Sequence, residues 1–471
     1  MTPSELQRES TALYERARGL QQAGEHAAAA SLYEQVIAHD AAHFRALNNL
    51  AVCRIETGQA DLAEPLYRRA LALAPDAAPV LHNLARWLHQ LGRTAEAEPL
   101  YRAALAQAPG MLEAHFNLGR LLQEDGRPSA AEATLREAVD LDPGAPRAHS
   151  FLGDALFQQN RMPEALESYR RACELDPTYG VAQFDLGKTL ETLKRDDEAV
   201  ECYRAAVRLD PAAEAPREAL VRALESAGRH DEALAELHEW LAAAPDDPLA
   251  GHLLASLGGA PAPERASDDY VRGTFDRFAN DFDQTLTRLH YRAPNLVAAL
   301  VELAHGQPAG TLDVLDAGCG TGLCAPLIKP YARRLVGVDL SEGMLAQAAK
   351  REAYDALLPE ELTAHLRSHT LAYDMIVSAD TFCYLGALEE PLAASFAALR
   401  PAGLLAYTLE HLGEGGSYVL HTGGRYAHSI EYVTHAMRNA GFLGITIGEG
   451  ELRTEGGRPV KGLLISARKP E

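Results

Sequence analysis

The sequence predicts an α + α/β chain, an N-terminal α-solenoid followed by a doubly wound α/β domain. Three observations carry that expectation. Pro75, Pro109, Pro143, Pro177, Pro211 and Pro245 recur at intervals of 34 residues through the first half. The second half shows short apolar runs, Leu312–Ala317, Arg334–Asp339 and Tyr373–Ser378, separated by helix-length stretches. The first run leads into Gly318, Gly320 and Gly322, the sharp turn by which a buried parallel strand enters a helix.

In the first half, Tyr33, Tyr67, Tyr101, Tyr169 and Tyr203 keep the proline period, with Leu135 and Leu237 on the two missing beats. Gly24, Gly58, Gly92, Gly126 and Gly228 follow it too, as do Gly119, Gly153 and Gly187 in a second register. Small residues let the two helices of a hairpin touch, the aromatic fills the gap, and proline ends the second helix. The order of Leu-Gly, then Ala-x-x-x-Tyr, then Pro, clearest at Ala165, Tyr169 and Pro177, resembles the tetratricopeptide repeat. About seven units run from Glu9 to Asp247, the first with Ala41 on the proline beat. Pro248–Leu257 reads as a closing helix, and Gly258–Ser267 has linker composition. The expected division is a solenoid over 1–257, a linker over 258–268 and a second domain over 269–471.

Asn49, Asn83 and Asn117 share one beat of consecutive first helices, and Arg86 and Arg120 share another. First helices line the concave face of such arrays, so the asparagines are expected to form a ladder. An amide ladder can bond the main chain of an extended peptide without reading its sequence. The arrangement is similar to the asparagine ladder of O-linked N-acetylglucosamine transferases. The alternative is that each Asn bonds the next helix pair and shapes the superhelix. Phe151 and Asp185 interrupt the ladder on the next two beats.

The dinucleotide fingerprint G-x-G-x-x-G would need glycine at position 323, which is Leu323; the third glycine comes one residue early. With Asp316 ahead of the turn, the pattern D-x-G-x-G-x-G resembles motif I of class I S-adenosylmethionine (SAM) methyltransferases. A second strand ends in Asp339, about twenty residues on, where an acid can accept from both ribose hydroxyls. The resemblance implies a Rossmann-like, seven-stranded sheet of order 3-2-1-4-5-7-6 and S-adenosyl-L-methionine as cofactor. It implies cofactor contacts from Asp316, Gly318, Cys319, Gly320, Thr321, Gly322, Asp339, Leu340, Met344, Leu362 and Ala379. The simpler alternative is a tight βα turn, with Asp339 capping the helix that starts near Glu342. Upstream, Phe275, Phe278 and Phe282 lie on one helix face. The segment around them looks like the N-terminal lid of many SAM methyltransferases, or else a plain amphipathic helix. Arg292 is a candidate for the SAM carboxylate. Glu361 is the candidate for the adenine amino group, with Glu360, or a simple helix-start acid, as alternatives.

Ligands in open α/β sheets gather at the carboxyl ends of strands. That places Asp380, Thr381, Cys383 and Tyr384 at the mouth after strand four, and Glu410 at the end of strand five. The segment Tyr418–Ser429 gathers His421, Arg425, Tyr426 and His428 in a glycine-containing loop. It resembles the G-R-Y-A-H segment of a bacterial group of repeat-containing predicted methyltransferases. The alternative is a helix N-terminus capped by Ser429. Catalytic candidates are therefore His428, Glu410, Tyr426, Arg425, His421, Asp380 and Tyr384. Methyl transfer from a sulfonium needs alignment and, where the nucleophile carries a proton, a base.

Composition narrows the partners. The net charge of −22 repels phosphate backbones and attracts basic peptides, so no nucleic acid is expected. The six cysteines include no C-x-x-C pair, which argues against a zinc site or a disulfide framework and fits a reducing cytosol. There is no apolar run of membrane-spanning length and no leader pattern, so a cytoplasmic protein is expected. The leading functional expectation is a methyltransferase acting on a protein or peptide side chain held in the repeat groove. A small-molecule methyltransferase with a docking arm and a non-catalytic SAM-binding scaffold are the rivals.

Overall fold

The computed structural model describes residues 3–413 and 415–471. It divides into two compact units, Met1–Arg229 and His230–Glu471. In the first, helix pairs follow the proline period: Pro3–Gln22 with His26–His39, Phe44–Glu56 with Ala63–Leu73, and Ala78–Gln90 with Thr94–Gln107. Leu112–Glu124 with Pro128–Leu141, Pro146–Gln158 with Met162–Leu175, and Gly180–Thr192 with Asp196–Leu209 continue it, and Glu214–Ser226 ends the unit.

The periodic tyrosines are its core, and all five are buried. Gly24, Gly58, Gly92, Gly126 and Gly228 supply a positive φ, whereas the glycines of the second register make room for the side chain opposite. A Cβ on Gly153 would lie 2.7 Å from the Tyr169 ring, one on Gly187 2.6 Å from Tyr203, and one on Gly119 2.8 Å from Leu135. Outside, arginines on the same period bridge successive pairs. Arg93 bonds Glu64 and Glu96, Arg127 bonds Glu98, and Arg161 bonds Glu132 and Glu164. The arginines remain partly in solvent, so each pair adds little by itself.

The second unit begins with helices His230–Ala243 and Pro248–Ser256, ahead of the boundary expected at 257. The second of these helices is fastened to the sheet domain. His252 stacks on Tyr270 with ring centroids 3.9 Å apart and donates from Nε2 to the Gly424 carbonyl at 2.9 Å. Tyr426 reaches back from the sheet to the Pro263 carbonyl at 2.7 Å.

The strands are β1 (Leu312–Ala317), β2 (Ala332–Val338), β3 (Ala356–Leu358), β4 (Tyr373–Ser378), β5 (Leu399–His411), β6 (Tyr418–Leu420), β7 (Tyr426–His428), β8 (Leu443–Glu455) and β9 (Arg458–Arg468). Parallel neighbours run β3-β2-β1-β4-β5, and β9 lies antiparallel between β5 and β8. Those seven strands have the expected order, the closing hairpin supplying the last two. β3 is shorter than the expected run from Tyr354. Asp355 takes the Leu335 N–H with its carboxylate, and Tyr354 turns its hydroxyl to Asp316.

The segment 418–429 is a correction: it forms the hairpin β6–β7, with β7 parallel to the end of β5, rather than a loop. Contacts among the Tyr418, Tyr426, His428 and Tyr432 rings supply the reason for its order. Among the described residues no helix is long and apolar enough to cross a membrane.

Candidate active site at the carboxyl ends of the strands

β1 is apolar except for its acids and delivers Asp316 beneath the glycine turn. There the carboxylate is almost fully buried and accepts the Tyr354 hydroxyl at 2.6 Å. Burial pushes its pKa up to about 7. The amides of Gly318 and Cys319 both bond the Val338 carbonyl, at 2.8 and 3.0 Å, folding the turn over the end of β2. Gly318 has φ +72°, and a Cβ there would lie 2.2 Å from Thr381. Gly320 has φ +53°, and a Cβ there would meet nothing within 4 Å. Its open face is where a ligand can approach the main chain.

Asp339 flanks that face. Its Oδ2 accepts the Gly320 N–H and its Oδ1 the Ser341 N–H, both at 2.9 Å. Each oxygen keeps a lone pair for a ribose hydroxyl. Burial raises the pKa of Asp339, while the amide bonds oppose the rise. Met344 is buried behind it with its N–H capped by Ser341 Oγ at 3.0 Å, and Leu340 is half-buried beside it. Burial pushes the Cys319 thiol up, so it packs rather than reacts. Leu362 is buried in the sheet core, and Ala379 sits half-buried just beyond β4.

The segment ahead of the sheet forms two helices, Asp268–Phe278 and Phe282–Arg288. Sequence reading rested on its phenylalanines; the polar residues between them do the fastening. Asp276 accepts from Ser341 Oγ at 2.5 Å and from the Gly343 N–H at 3.1 Å. Asn280 accepts from Gln347 at 2.8 Å. Asp283 accepts from Thr321 Oγ1 at 2.5 Å and pairs with Arg351, which also donates to the Thr321 carbonyl. Phe275 packs edge-on against Tyr384, centroids 5.4 Å apart. The helices thus lie across the glycine turn and reach the acceptor end of the sheet.

Glu361 is engaged elsewhere: it caps Leu362–Ser368 through the Ala364 N–H at 2.7 Å and pairs with Arg265 at 3.0 Å. The helix-start alternative describes it. Glu360 is bonded to His365 at 2.7 Å. Arg292 is exposed at the start of the helix Ala293–His305, its amide bonded to the Leu452 carbonyl.

At the acceptor end, side chains from four strand ends converge. Arg453 donates to Asp380 Oδ2 at 2.6 Å, to Glu455 at 2.7 Å and to Glu410. Arg425 donates to Glu410 at 2.6 Å and to Glu455. Burial pushes the Tyr384 hydroxyl up, against the pull of Arg425. Asp380, Glu410, Arg425 and Tyr384 are therefore brought together as expected of a common mouth.

Arg453 was not foreseen. It sits where the β8–β9 register slips between Glu451 and Arg453, so Leu452 and Arg453 are both buried. Strict alternation would have sent one of them outward.

Three candidates do not join this cluster. His428 is fully buried, stacked on Tyr432, and donates to the Gly386 carbonyl at 3.0 Å; burial lowers its pKa to about 4. It is a core histidine with no open face toward an acceptor. Tyr426 is fully buried and spends its hydroxyl on Pro263. His421 is exposed at the β6–β7 turn, its amide bonded to the Arg425 carbonyl.

In the repeats, Asn83 donates to Asn48 Oδ1 at 3.0 Å, Asn117 to His82 at 2.9 Å, and Asn49 to Tyr33 at 3.1 Å. The ladder thus stitches neighbouring helices, as its alternative reading held. Arg120 is exposed and pairs loosely with Glu124 at 3.6 Å, and Arg86 is half-buried near Tyr67 and Tyr101.

Comparison with known proteins matches this geometry in two pieces. Tetratricopeptide repeat models match residues 10–35, 43–110, 76–144, 116–180, 181–212 and 197–257, and a methyltransferase domain model matches 314–403. The chain therefore joins tetratricopeptide repeats to a methyltransferase domain.

It is similar to human methyltransferase-like protein 27, 45% identical over 85 residues, 18% of this chain and 34% of that protein. It is also similar to malonyl-[acyl-carrier protein] O-methyltransferase of Erwinia pyrifoliae, 31% identical over 102 residues, 22% of this chain and 37% of that one. In both cases the match spans little more than a third of the relative's length. The repeats are similar to the solved structure of Pseudomonas aeruginosa pilF, 20% identical with a TM-score of 0.42, over 45% of this chain and 97% of that one.

Proposed function

We propose that the chain is a SAM-dependent methyltransferase that modifies a protein or peptide recruited by its repeats. The observation that supports it most is the open face of Gly320 beside Asp339, whose two oxygens are oriented by main-chain amides. Those residues fit the cofactor: Asp339 would hold the ribose, Gly320 would let the nucleoside reach the main chain, and Met344 would back the adenine. SAM supplies a methyl group activated on sulfonium sulfur. The chain's own work is to hold the acceptor in line with it and to exclude water, the task of the clasped Asp268–Phe278 and Phe282–Arg288 helices.

A protein acceptor is favoured by the repeats and by a cavity of about 340 Å³ lined by Arg18, Gln21, Gln22, His26 and Asn49. The lining offers amide and cationic donors to a peptide main chain. The relatives named as malonyl-[acyl-carrier protein] methyltransferases also, by name, act on a protein-borne group. We place the protein in the cytoplasm, on the grounds that all six cysteines are free.

Calorimetry of the full chain with SAM tests the first part; Asp339→Ala is expected to lower affinity at least tenfold. Full affinity in that variant, or no heat with the parent, refutes it. Labelled methyl transfer to lysate proteins tests the second part. Gln22→Ala, on the wall of that cavity, should lower kcat/KM for the acceptor and leave SAM affinity unchanged; an unchanged kcat/KM removes the cavity from acceptor binding.

A further inference from the structure

The acceptor-end cluster has a charge and donor balance that selects the chemistry of the incoming group; the inference rests on the proposed methyl transfer. Asp380, Glu410 and Glu455 face two cations, Arg425 and Arg453. Both guanidinium groups are already committed: Arg453 uses Nε, Nη1 and Nη2 on three carboxylates, and Arg425 uses Nε and Nη2 on two. An incoming carboxylate would find no free fork of donors and an excess of negative charge.

The opposite holds for a donor. Asp380 Oδ1 is buried and has no hydrogen-bond partner, an arrangement that costs stability unless something fills it.

The turn that carries this oxygen is tied down, and Arg453 holds the other oxygen of the same carboxylate. Asp380 has φ +56°, a left-handed conformation that aspartate adopts more readily than most side chains. Its N–H is bonded to Thr408 Oγ1 at 2.9 Å, and Cys383 Sγ donates to its carbonyl at 3.1 Å. The next residue, Thr381, donates to the Gly318 carbonyl at 3.1 Å, tying the turn to the cofactor loop. The ionisable groups that face Asp380 are Arg453, Arg425 and Glu410 from the strand ends, Tyr291 from the turn before Ala293–His305, and Cys383.

We propose that the methyl acceptor is an N–H or O–H nucleophile, an amine or a hydroxyl and not a carboxylate, and that Asp380 Oδ1 accepts its proton. The acceptor's lone pair forms the new bond to the methyl carbon, and the carbon–sulfur bond breaks with its electron pair remaining on sulfur. The proton displaced from the acceptor passes to Oδ1, leaving Asp380 a neutral carboxylic acid that returns the proton to solvent. The positive charge of the sulfonium and the negative charge of the carboxylate cancel. Burial raises the affinity of Asp380 for a proton, which suits it to that step.

The test uses the full chain, methyl-labelled SAM and cell lysate. The label is expected to survive mild alkali, as N-methyl and ether linkages do. Release of the label as volatile methanol marks a carboxyl ester and overturns the inference while leaving the proposed transferase intact. Absence of any label in the presence of measurable SAM binding overturns the proposed function itself, and this inference with it.

The variant D380N tests the residue. Asparagine tolerates a left-handed backbone and its carbonyl can still accept from Arg453, so the fold and SAM affinity are expected to hold within about twofold. The rate of transfer is expected to fall roughly 100- to 10,000-fold. A D380N rate within threefold of the parent, with SAM affinity unchanged, refutes the assignment of the proton to Asp380.

Discussion

The glycine turn offers a comparison in which two neighbouring substitutions should behave differently. Gly318 and Gly320 both have positive φ, so alanine at either costs about 1–2 kcal/mol in backbone strain. At Gly320 the cost to folding should stop there, because a Cβ meets no described atom within 4 Å. At Gly318 the Cβ would lie 2.2 Å from Thr381, whose Oγ1 is bonded to the Gly318 carbonyl. Overpacking adds about 1–3 kcal/mol, for a total of about 2–5.

For ligand binding the order reverses. A methyl group on the open face of Gly320 obstructs the nucleoside, and the same 1–3 kcal/mol raises Kd roughly 5- to 150-fold. Hydrogen exchange in β1 and β4 reports the stability of the second unit, and calorimetry with SAM reports the affinity. If Gly320→Ala binds SAM as tightly as the parent, or destabilises the unit as much as Gly318→Ala does, the open face is not a ligand face.

Arg453→Met should destabilise the second unit by about 3–5 kcal/mol near neutral pH, because it strips Asp380 of its cation and leaves Glu410 and Glu455 with Arg425 alone. The loss should shrink as pH falls and Asp380 protonates; a loss independent of pH would contradict the pairing. Asp316 carries the reverse linkage. Its folded pKa of about 7 lies above its ordinary 3.8, so the unfolded state ionises first. Its contribution is complete below pH 4 and is lost as pH rises toward 7, on the order of 4 kcal/mol in all. Asp316→Asn should flatten that slope in urea titrations of the second unit, and an unchanged slope would exclude Asp316 as its source. In the solenoid, Gly153→Ala puts a methyl 2.7 Å from a Tyr169 ring pinned by its bond to Asp154, which at 2.6 Å leaves it little room to move. A loss of about 1–3 kcal/mol is expected by thermal unfolding, and a neutral result would mean that the hairpin can open.

The repeat period was legible because each of its residues acts on a neighbour at a fixed short distance along the chain. Gly153 faces Tyr169 and Gly187 faces Tyr203 in the same hairpin geometry, so the sequence records the packing directly. The strand order had no such local record; it came from the resemblance that the glycine turn and Asp339 carry. The acceptor end was only half legible. Asp380 and Glu410 follow from strand ends, but Arg453 reaches Asp380 from 73 positions away, and a register slip in β8 aims it inward. Nothing local in Glu451-Leu452-Arg453-Thr454-Glu455 marks that slip. His428 misled in the opposite sense: a histidine in a glycine-containing stretch reads as reactive until ring contacts fold the stretch into a hairpin and bury it.

The same contrast separates two glycines that the motif presents as equals. Gly318 is required by the protein, since Thr381, fixed by the left-handed turn at Asp380, fills the place of its Cβ. Gly320 has no such neighbour: its positive φ favours glycine, and its open side lies beside Asp339, where the proposed ligand would sit. The first glycine therefore reports on the turn after β4, and the second, on the proposed function, on the cofactor. On the proposed function, a chain that kept Gly318 and Thr381 but lost Gly320 would keep the fold while losing affinity for SAM.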